Sequence, residues 1–409
     1  MSGIEIRPVT ESEFEAFVAA FHEGFADDIP GESSVERERR IFPLDRTLAA
    51  FDGSSVVGTF GGLELMLTVP GGRVAMEGTT IVTVFPTHRR MGLLRKMMDE
   101  HLKIAAGRGD VIAGLWASES DIYGRFGYGI ATRSRSLSLD GPRIEFRDDV
   151  TIERVRRVSS ENAQEEFSAL YEEVALRTPG MLSRSDTFWR DHVLPDEDRV
   201  RRGMTARRYV VHDGANGVDG YAAYRQKAGE TDDGHPDGSV SVIEIIADDP
   251  VARASLWSYL MRIDGCPKVR VWNAPLSDPV PMMVREPRRL IYSSVYDALW
   301  IRILDVEAAL NARRYERDGS LIFTVVDGSR AQSAGTYRMD VDGGIAACAR
   351  TDAPAEISID IDALGALYLG GGDAYGYADA GRIRGSDASV RSLHRLFRTD
   401  REPWCNSVF

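Results

Sequence analysis

The chain has 409 residues, of which 43% are hydrophobic and 28% charged, and its formal net charge is −13. At about 150 residues per domain this is a globular chain of two or three domains; its acidic balance argues against a nucleic-acid partner and either draws cations toward it or simply keeps the chain soluble. No apolar run reaches the roughly 18 residues of a membrane helix, and Met1-Ser2-Gly3-Ile4-Glu5-Ile6-Arg7 lacks the apolar stretch of a signal peptide, so a cytoplasmic protein with no membrane partner is expected.

Thr10-Glu11-Ser12-Glu13 reads as a capping box opening a helix, with Phe14, Phe17, Val18 and Phe21 on its apolar face. Strand signals follow at 47–51 and 56–60. The run 63–69 ends at the turn Pro70-Gly71-Gly72, and 74–76 and 79–84 are strand-like again. Phe85 to Gly92 is a short polar loop, after which Leu93, Leu94, Met97, Met98 and Leu102 recur at helical spacing. A strand at 111–117 and a helix-turn segment with Tyr123, Phe126, Gly127 and Tyr128 close the unit. A second unit opens near residue 136 and repeats the layout. It has a strand at 151–158, a helix with Phe167, Leu170, Tyr171 and Val174, strands at 208–211, 220–224 and 240–246, and a helix from Pro250 to Met261. A third opens near Ala298, where Asp305 caps a helix holding Val306, Ala309 and Leu310. Strands at 321–326 and 337–341 follow, and Ile357-Ser358-Ile359-Asp360-Ile361 alternates strictly, as a strand with one buried face does. Gly370-Gly371-Gly372-Asp373 reads as a turn, without the Lys-Ser/Thr of a phosphate loop. Cys266, Cys348 and Cys405 are far apart and the histidines show no ligand spacing, so neither a disulfide framework nor a metal is expected.

One constellation carries chemistry. A pyrophosphate is held by positive hydrogen-bond donors, and a helix start supplies free N–H groups and a favourable dipole. Glycine lets the preceding loop pass close by. Arg89-Arg90-Met91-Gly92-Leu93-Leu94, between a strand and a helix, meets these needs. The pattern Val82-x-Val84-x-Pro86-x-x-Arg89-Arg90-x-Gly92 resembles the acyl-CoA loop of the GNAT superfamily, with Leu94 standing where that family prefers a second small residue. Ile122-Tyr123-Gly124-Arg125-Phe126-Gly127-Tyr128, after the next strand, is similar to the segment that holds a general acid in that superfamily. Taken alone, Tyr123 reads as a packed aromatic with its hydroxyl on a carbonyl. Together with Trp116-Ala117-Ser118-Glu119 and the end Pro403-Trp404-Cys405 to Phe409, these segments resemble the enhanced-intracellular-survival (Eis) acetyltransferases along the whole chain.

The resemblance implies a mixed α+β fold: a GNAT acetyltransferase domain at 1–135, a degenerate GNAT-like domain at 136–297, and a sterol-carrier-protein-like domain at 298–409. The second unit fits that plan physically, because its corresponding turn, Ala247-Asp248-Asp249-Pro250, puts two carboxylates where a phosphate site needs donors. The implied activity is acetyl-CoA-dependent N-acetylation of small cationic amines, with aminoglycosides acetylated at several positions as a candidate, and the implied assembly is a homohexamer. Tyr123 would be the general acid and the terminal carboxylate of Phe409 the base. An α-carboxyl of ordinary pKa, about 3.5, would act by position and by relaying a proton outward. Val82 and Val84 would hold the pantetheine arm, with the Val84 N–H as oxyanion donor. Arg89, Arg90, Gly92 and Leu93 would hold the pyrophosphate, and Ser118 is assigned to the coenzyme with them. By alignment with the family, Phe25, Asp27, Trp116, Trp300 and Phe409 are the candidate substrate walls; aromatic faces and carboxylates attract ammonium groups, and core packing is the other reading of each aromatic. Val408 replaces an acidic residue that aminoglycoside-modifying members carry, and the stretch from Asp28 to Phe42 has no counterpart to an early tryptophan of some members.

The alternative is a non-catalytic lipid- or ligand-binding protein on a GNAT scaffold. Arg89-x-x-Gly92 kept together with Tyr123 argues against it, and the second unit shows what loss of such a site looks like in the same chain.

Overall fold

The computed structural model describes residues 3–28 and 31–409. Met1 and Ser2 of the amino-terminal reading, and Ile29 and Pro30, lie outside the described residues. The chain packs as two units, Met1–Thr132 with Ala298–Pro403 and Ser407–Phe409, and Arg133–Asp297 with Trp404–Asn406.

The first unit begins with β1 (Glu5–Arg7) and the helix Phe14–Gly24, then β2 (Thr47–Asp52), β3 (Ser55–Val69) and β4 (Gly72–Val84). The capping box forms: the Glu13 carboxylate accepts from the Thr10 N–H at 3.0 Å and from Arg7 at 2.6 Å. Phe14, Phe17, Val18 and Phe21 are buried along the helix face the sequence indicated. The helix Leu93–Arg108, β5 (Ile112–Trp116), the short helix Ser120–Tyr123 and β6 (Gly129–Ile130) follow. The second unit holds β7 (Arg133–Asp140), β8 (Val155–Val158), the helix Ala163–Leu176, β9 (Arg208–Gly214), β10 (Gly217–Lys227), β11 (Ser239–Ala247), the helix Pro250–Met261, β12 (Lys268–Pro275) and β13 (Leu290–Asp297). The remainder carries β14 (Leu299–Ile303), the helix Val306–Ala312, β15 (Gly319–Val326), β16 (Gly335–Asp342), β17 (Ile345–Arg350), β18 (Ile357–Asp360), the helix Ile361–Leu367, β19 (Ile383–Gly385) and the helix Asp387–Phe397. The strands form three mixed sheets, ordered β1-β2-β3-β4-β5-β14-β6, β13-β7-β12-β11-β10-β9-β8 and β17-β16-β15-β18-β19. No helix among the described residues is long and apolar enough to cross a membrane.

Strands β3, β4, β14 and β18 differ from the sequence expectation. Residues 56–60 and 63–69 are one strand, β3, and 74–76 and 79–84 are one strand, β4. The glycines between those runs serve close packing: a Cβ on Gly62 would lie 1.7 Å from the Glu77 carboxylate. β14 was not legible, because Arg302 interrupts Leu-Trp-Ile-Arg-Ile; its guanidinium is fully buried against Asp327, so the whole strand is interior. Ile361 does not continue β18. The strand stops at Asp360, which Arg384 holds at 2.6 Å, and Ile361 starts a helix.

Candidate active site

The site is built where two parallel strands part. β4 pairs with β5 only from Met76–Ile112 to Gly78–Gly114. β4 then runs on to Val84 and β5 to Trp116, leaving their facing edges unpaired with one another. The divergence has a local cause. The β3–β4 register slips between Thr59 and Gly61, and Ile81 sits there at φ +45°. A β-branched residue in the left-handed region costs about 1–3 kcal/mol and persists only where its surroundings hold it. The Thr59 hydroxyl does so, donating to the Ile81 carbonyl at 2.8 Å and lying 2.7 Å from the Thr83 hydroxyl. A bulge of this kind bends its strand, here just beyond the last β4–β5 pair.

The closed end of the wedge is tied by buried charge. Glu77, fully buried, takes Arg46, Arg108 at 2.6 Å and His101 at 3.2 Å. Burial pushes its carboxyl up, but His101, Arg46 and Arg108 outweigh that and hold it below the usual carboxylate range. Asp110 lies 3.5 Å from both arginines, and burial with the neighbouring Glu77 charge raises its carboxyl.

Beyond Val84 a short turn, Pro86–His88, leads to exposed Arg89 and Arg90. Arg90 at φ +64° and Gly92 at φ +76° fold the backbone back so that the helix starts at Leu93. No side chain among the described residues caps that start, so its N–H groups face outward with the helix dipole behind them. Two arginines beside an uncapped helix start fit a pyrophosphate. Leu93 is buried and Leu94 half-buried, anchoring the first turn to the core. The helix start of the second unit cannot do this. The Asp249 carboxylate already accepts from the Val251 and Ala252 N–H groups at 2.7 and 3.3 Å, and Asp248 is paired with Arg177.

Tyr123 ends the short helix after β5 and is 6% exposed. Its ring lies edge-on to Tyr128 at 6.2 Å, and exposed Ser118 is close enough to its hydroxyl to favour the ionised form slightly. Burial is the main reason its phenol is raised above the ordinary value, so it stays protonated at neutral pH. Trp300, in β14 opposite Leu115, packs in the same cluster as Tyr123, and half-buried Val82 and Val84 pack against it. Trp116, at the end of β5, donates its indole N–H to the Ser407 carbonyl at 3.0 Å, which brings the last residues of the chain to the mouth of the wedge. Phe409, two residues further on, is half-buried. Phe25 is 47% exposed just past the helix Phe14–Gly24, and Asp27 donates its N–H to the His22 carbonyl at 2.9 Å. That helix end lies close on β4, since a Cβ on Gly24 would come within 2.6 Å of Thr83. Val82, Val84, Trp116, Ser118, Tyr123 and Trp300 are thus assembled on the wedge, and Arg89 to Leu93 lie on the loop and helix start leading out of it. Sequence reasoning missed Thr59, Ile81 and Ser407. Isoleucine in a strand gives no sign of a left-handed bulge, and Ser407 acts through its carbonyl.

Comparison with known proteins agrees with this architecture. The acetyltransferase (GNAT) domain family matches residues 5–131, a second acetyltransferase (GNAT) domain family matches 180–303, and the sterol carrier protein domain family matches 306–406. An uncharacterized N-acetyltransferase of Streptomyces avermitilis is 35% identical over 99% of both chains. The N-acetyltransferase Eis of Mycobacterium tuberculosis is 34% identical over 96% of both. The crystal structure of Eis1 from Mycobacterium abscessus superposes with a TM-score of 0.85 at 29% identity, covering all of both chains.

Proposed function

The chain belongs to the Eis-type N-acetyltransferases of the GNAT superfamily, and we propose that it moves the acetyl group of acetyl-CoA onto primary amines of small cationic substrates in a ternary complex at the β4–β5 wedge. One observation carries the reading: the wedge opens beside an uncapped, arginine-flanked helix start and a buried, protonated tyrosine.

In this reading Arg89, Arg90, Gly92 and Leu93 hold the pyrophosphate, and Ser118 contacts the coenzyme beside Tyr123. The free edge of β4 at Val82 and Val84 hydrogen-bonds the pantetheine arm as an added strand would. The Val84 N–H lies against the thioester oxygen, where negative charge develops. The amine nitrogen must reach the carbonyl carbon unprotonated. The Phe409 carboxylate takes up its proton through water, and Tyr123 protonates the departing thiolate. Phe25, Asp27, Trp116 and Trp300 surround the amine, and the net charge of −13 concentrates cations near the protein. Aminoglycosides are one candidate substrate class, and Val408, in place of an acidic residue, narrows it. The three-domain plan 1–135, 136–297 and 298–409, a homohexamer and a cytoplasmic location complete the reading on resemblance.

The test is mass spectrometry of products after incubation with acetyl-CoA and spermidine, a kanamycin-like aminoglycoside or a lysine peptide. An acetyl mass increment on at least one amine is expected, with more than one increment if several positions react. No increment on any amine, together with a co-purifying lipid, would favour a binding protein.

A further inference from the structure

The second GNAT-like half contains its own wedge, and the wedge is filled. β11 and β12 pair in parallel only from Ser239–Lys268 to Val242–Val271, then run on separately to Ala247 and Pro275, as β4 and β5 do past Gly78 and Gly114. Residues 404–406 of the chain occupy the opening. The Asn273 side chain donates to the Cys405 carbonyl at 3.2 Å and to the Asn406 carbonyl at 3.4 Å. Its own oxygen accepts from the Trp404 indole at 3.3 Å. From the facing strand, Glu244 accepts the Asn406 amide at 2.7 Å. Glu244 is fixed in turn by Arg184 at 2.6 Å and by the Tyr221 hydroxyl. Burial pushes its carboxyl up, but Arg184, Tyr221 and Asn406 outweigh that and keep it charged. The Trp404 N–H completes the hold on the Pro179 carbonyl at 2.9 Å, and Cys405 is fully buried.

These bonds take up two backbone carbonyls, a backbone N–H, an indole N–H and a side-chain amide of the tail, so the polar groups lining the splayed strand pair are already engaged. With Asp249 capping the neighbouring helix start, no phosphate end remains. We propose that this half has exchanged cofactor binding for anchoring the chain's own tail, and that Asn273 and Glu244 are positioning residues for the Phe409 carboxylate. Ser407 follows Asn406 directly, so a hold on 404–406 fixes one end of the segment that Trp116 holds at Ser407. The proposal rests on the carboxylate reading above, because positioning matters to catalysis only if that group acts.

The test uses the full chain, Asn273→Ala, a deletion of Phe409, and the two combined, read by steady-state kinetics and by amide hydrogen exchange across 404–409. Asn273→Ala is expected to speed exchange in that segment at least about tenfold. It should lower kcat about tenfold and leave KM for acetyl-CoA unchanged, since it displaces a reacting group rather than the coenzyme. Asn273→Gln, which keeps the amide, should recover part of both. In the Phe409-deleted protein, Asn273→Ala should lower kcat no further. An equal loss in both backgrounds, or unchanged exchange in the tail, overturns the proposal. If deleting Phe409 leaves kcat untouched, the carboxylate reading fails, and exchange alone then decides the anchor. Should Asn273→Ala not fold, Asn406→Ala frees the same segment from the tail side with the same expectations.

Discussion

The Trp116 indole N–H donates to the Ser407 carbonyl at 3.0 Å, joining the end of β5 to a residue far along the chain. Trp116→Phe keeps an aromatic ring and removes the donor. A hydrogen bond of this kind contributes about 1 kcal/mol, so the melting temperature should move little. If the Phe409 carboxylate acts as proposed, the kinetic effect should be larger, about tenfold in kcat, because the bond holds Ser407 two residues before it. Steady-state kinetics beside a thermal melt separate the two.

Arg89 and Arg90 are exposed beside the uncapped helix start. Charge-assisted bonds to a phosphate are each worth about 1.5–3 kcal/mol, so Arg90→Ala should raise KM for acetyl-CoA roughly ten- to a hundredfold with kcat nearly constant. The remaining affinity should weaken further with salt. Calorimetric titration with coenzyme A at two ionic strengths checks both.

Glu77, itself fully buried, holds Arg46, His101 and Arg108. Removing it leaves buried Arg46 and half-buried Arg108 with only Asp110 at 3.5 Å, at a cost of about 3 kcal/mol. Glu77→Ala should therefore fall sharply in urea stability. The sign with pH follows from its lowered carboxyl. Its contribution is present above the unfolded value near 4.3 and is lost as pH falls through the lower folded value. Wild-type stability should drop in that acid window, and the drop should be smaller in Glu77→Ala.

Tyr123 is raised chiefly by burial, so its deprotonation belongs above pH of about 10. If it is the acid, loss of activity through its ionisation should appear only on that alkaline side. A pH profile of kcat whose alkaline limb lies near neutrality would assign the limb to another group.

Much of the first half was legible because its signals are local. The Thr10–Glu13 box, the Phe14/Phe17/Phe21 face and the Arg89-to-Leu94 helix start each use residues near in sequence, and the helix Pro250–Met261 forms where the sequence placed it. The rest depends on partners distant in the chain. β14 had no counterpart in the sequence reading, since the burial of Arg302 depends on Asp327, a distant partner. Gly62 and Gly78 fall between the strand runs read from the sequence, and their place inside β3 and β4 follows from the Glu77 and Leu65 side chains packed against them. At the site, Tyr123 could be singled out by its motif, whereas the bend at Ile81 depends on a hydroxyl on the neighbouring strand. The tail contacts of Asn273 and Glu244 join residues more than a hundred positions apart, and no spacing rule reaches that far.

The most direct measurement is amine-dependent release of free thiol from acetyl-CoA by the wild type and by Tyr123→Phe, with binding of acetyl-CoA followed in parallel. The account predicts release by the wild type, a loss of about a hundredfold or more in kcat in the variant, and equal coenzyme binding by both. Undiminished turnover in Tyr123→Phe would contradict the assignment of the acid, and no release with no binding in the wild type would contradict the acetyl-transfer site itself.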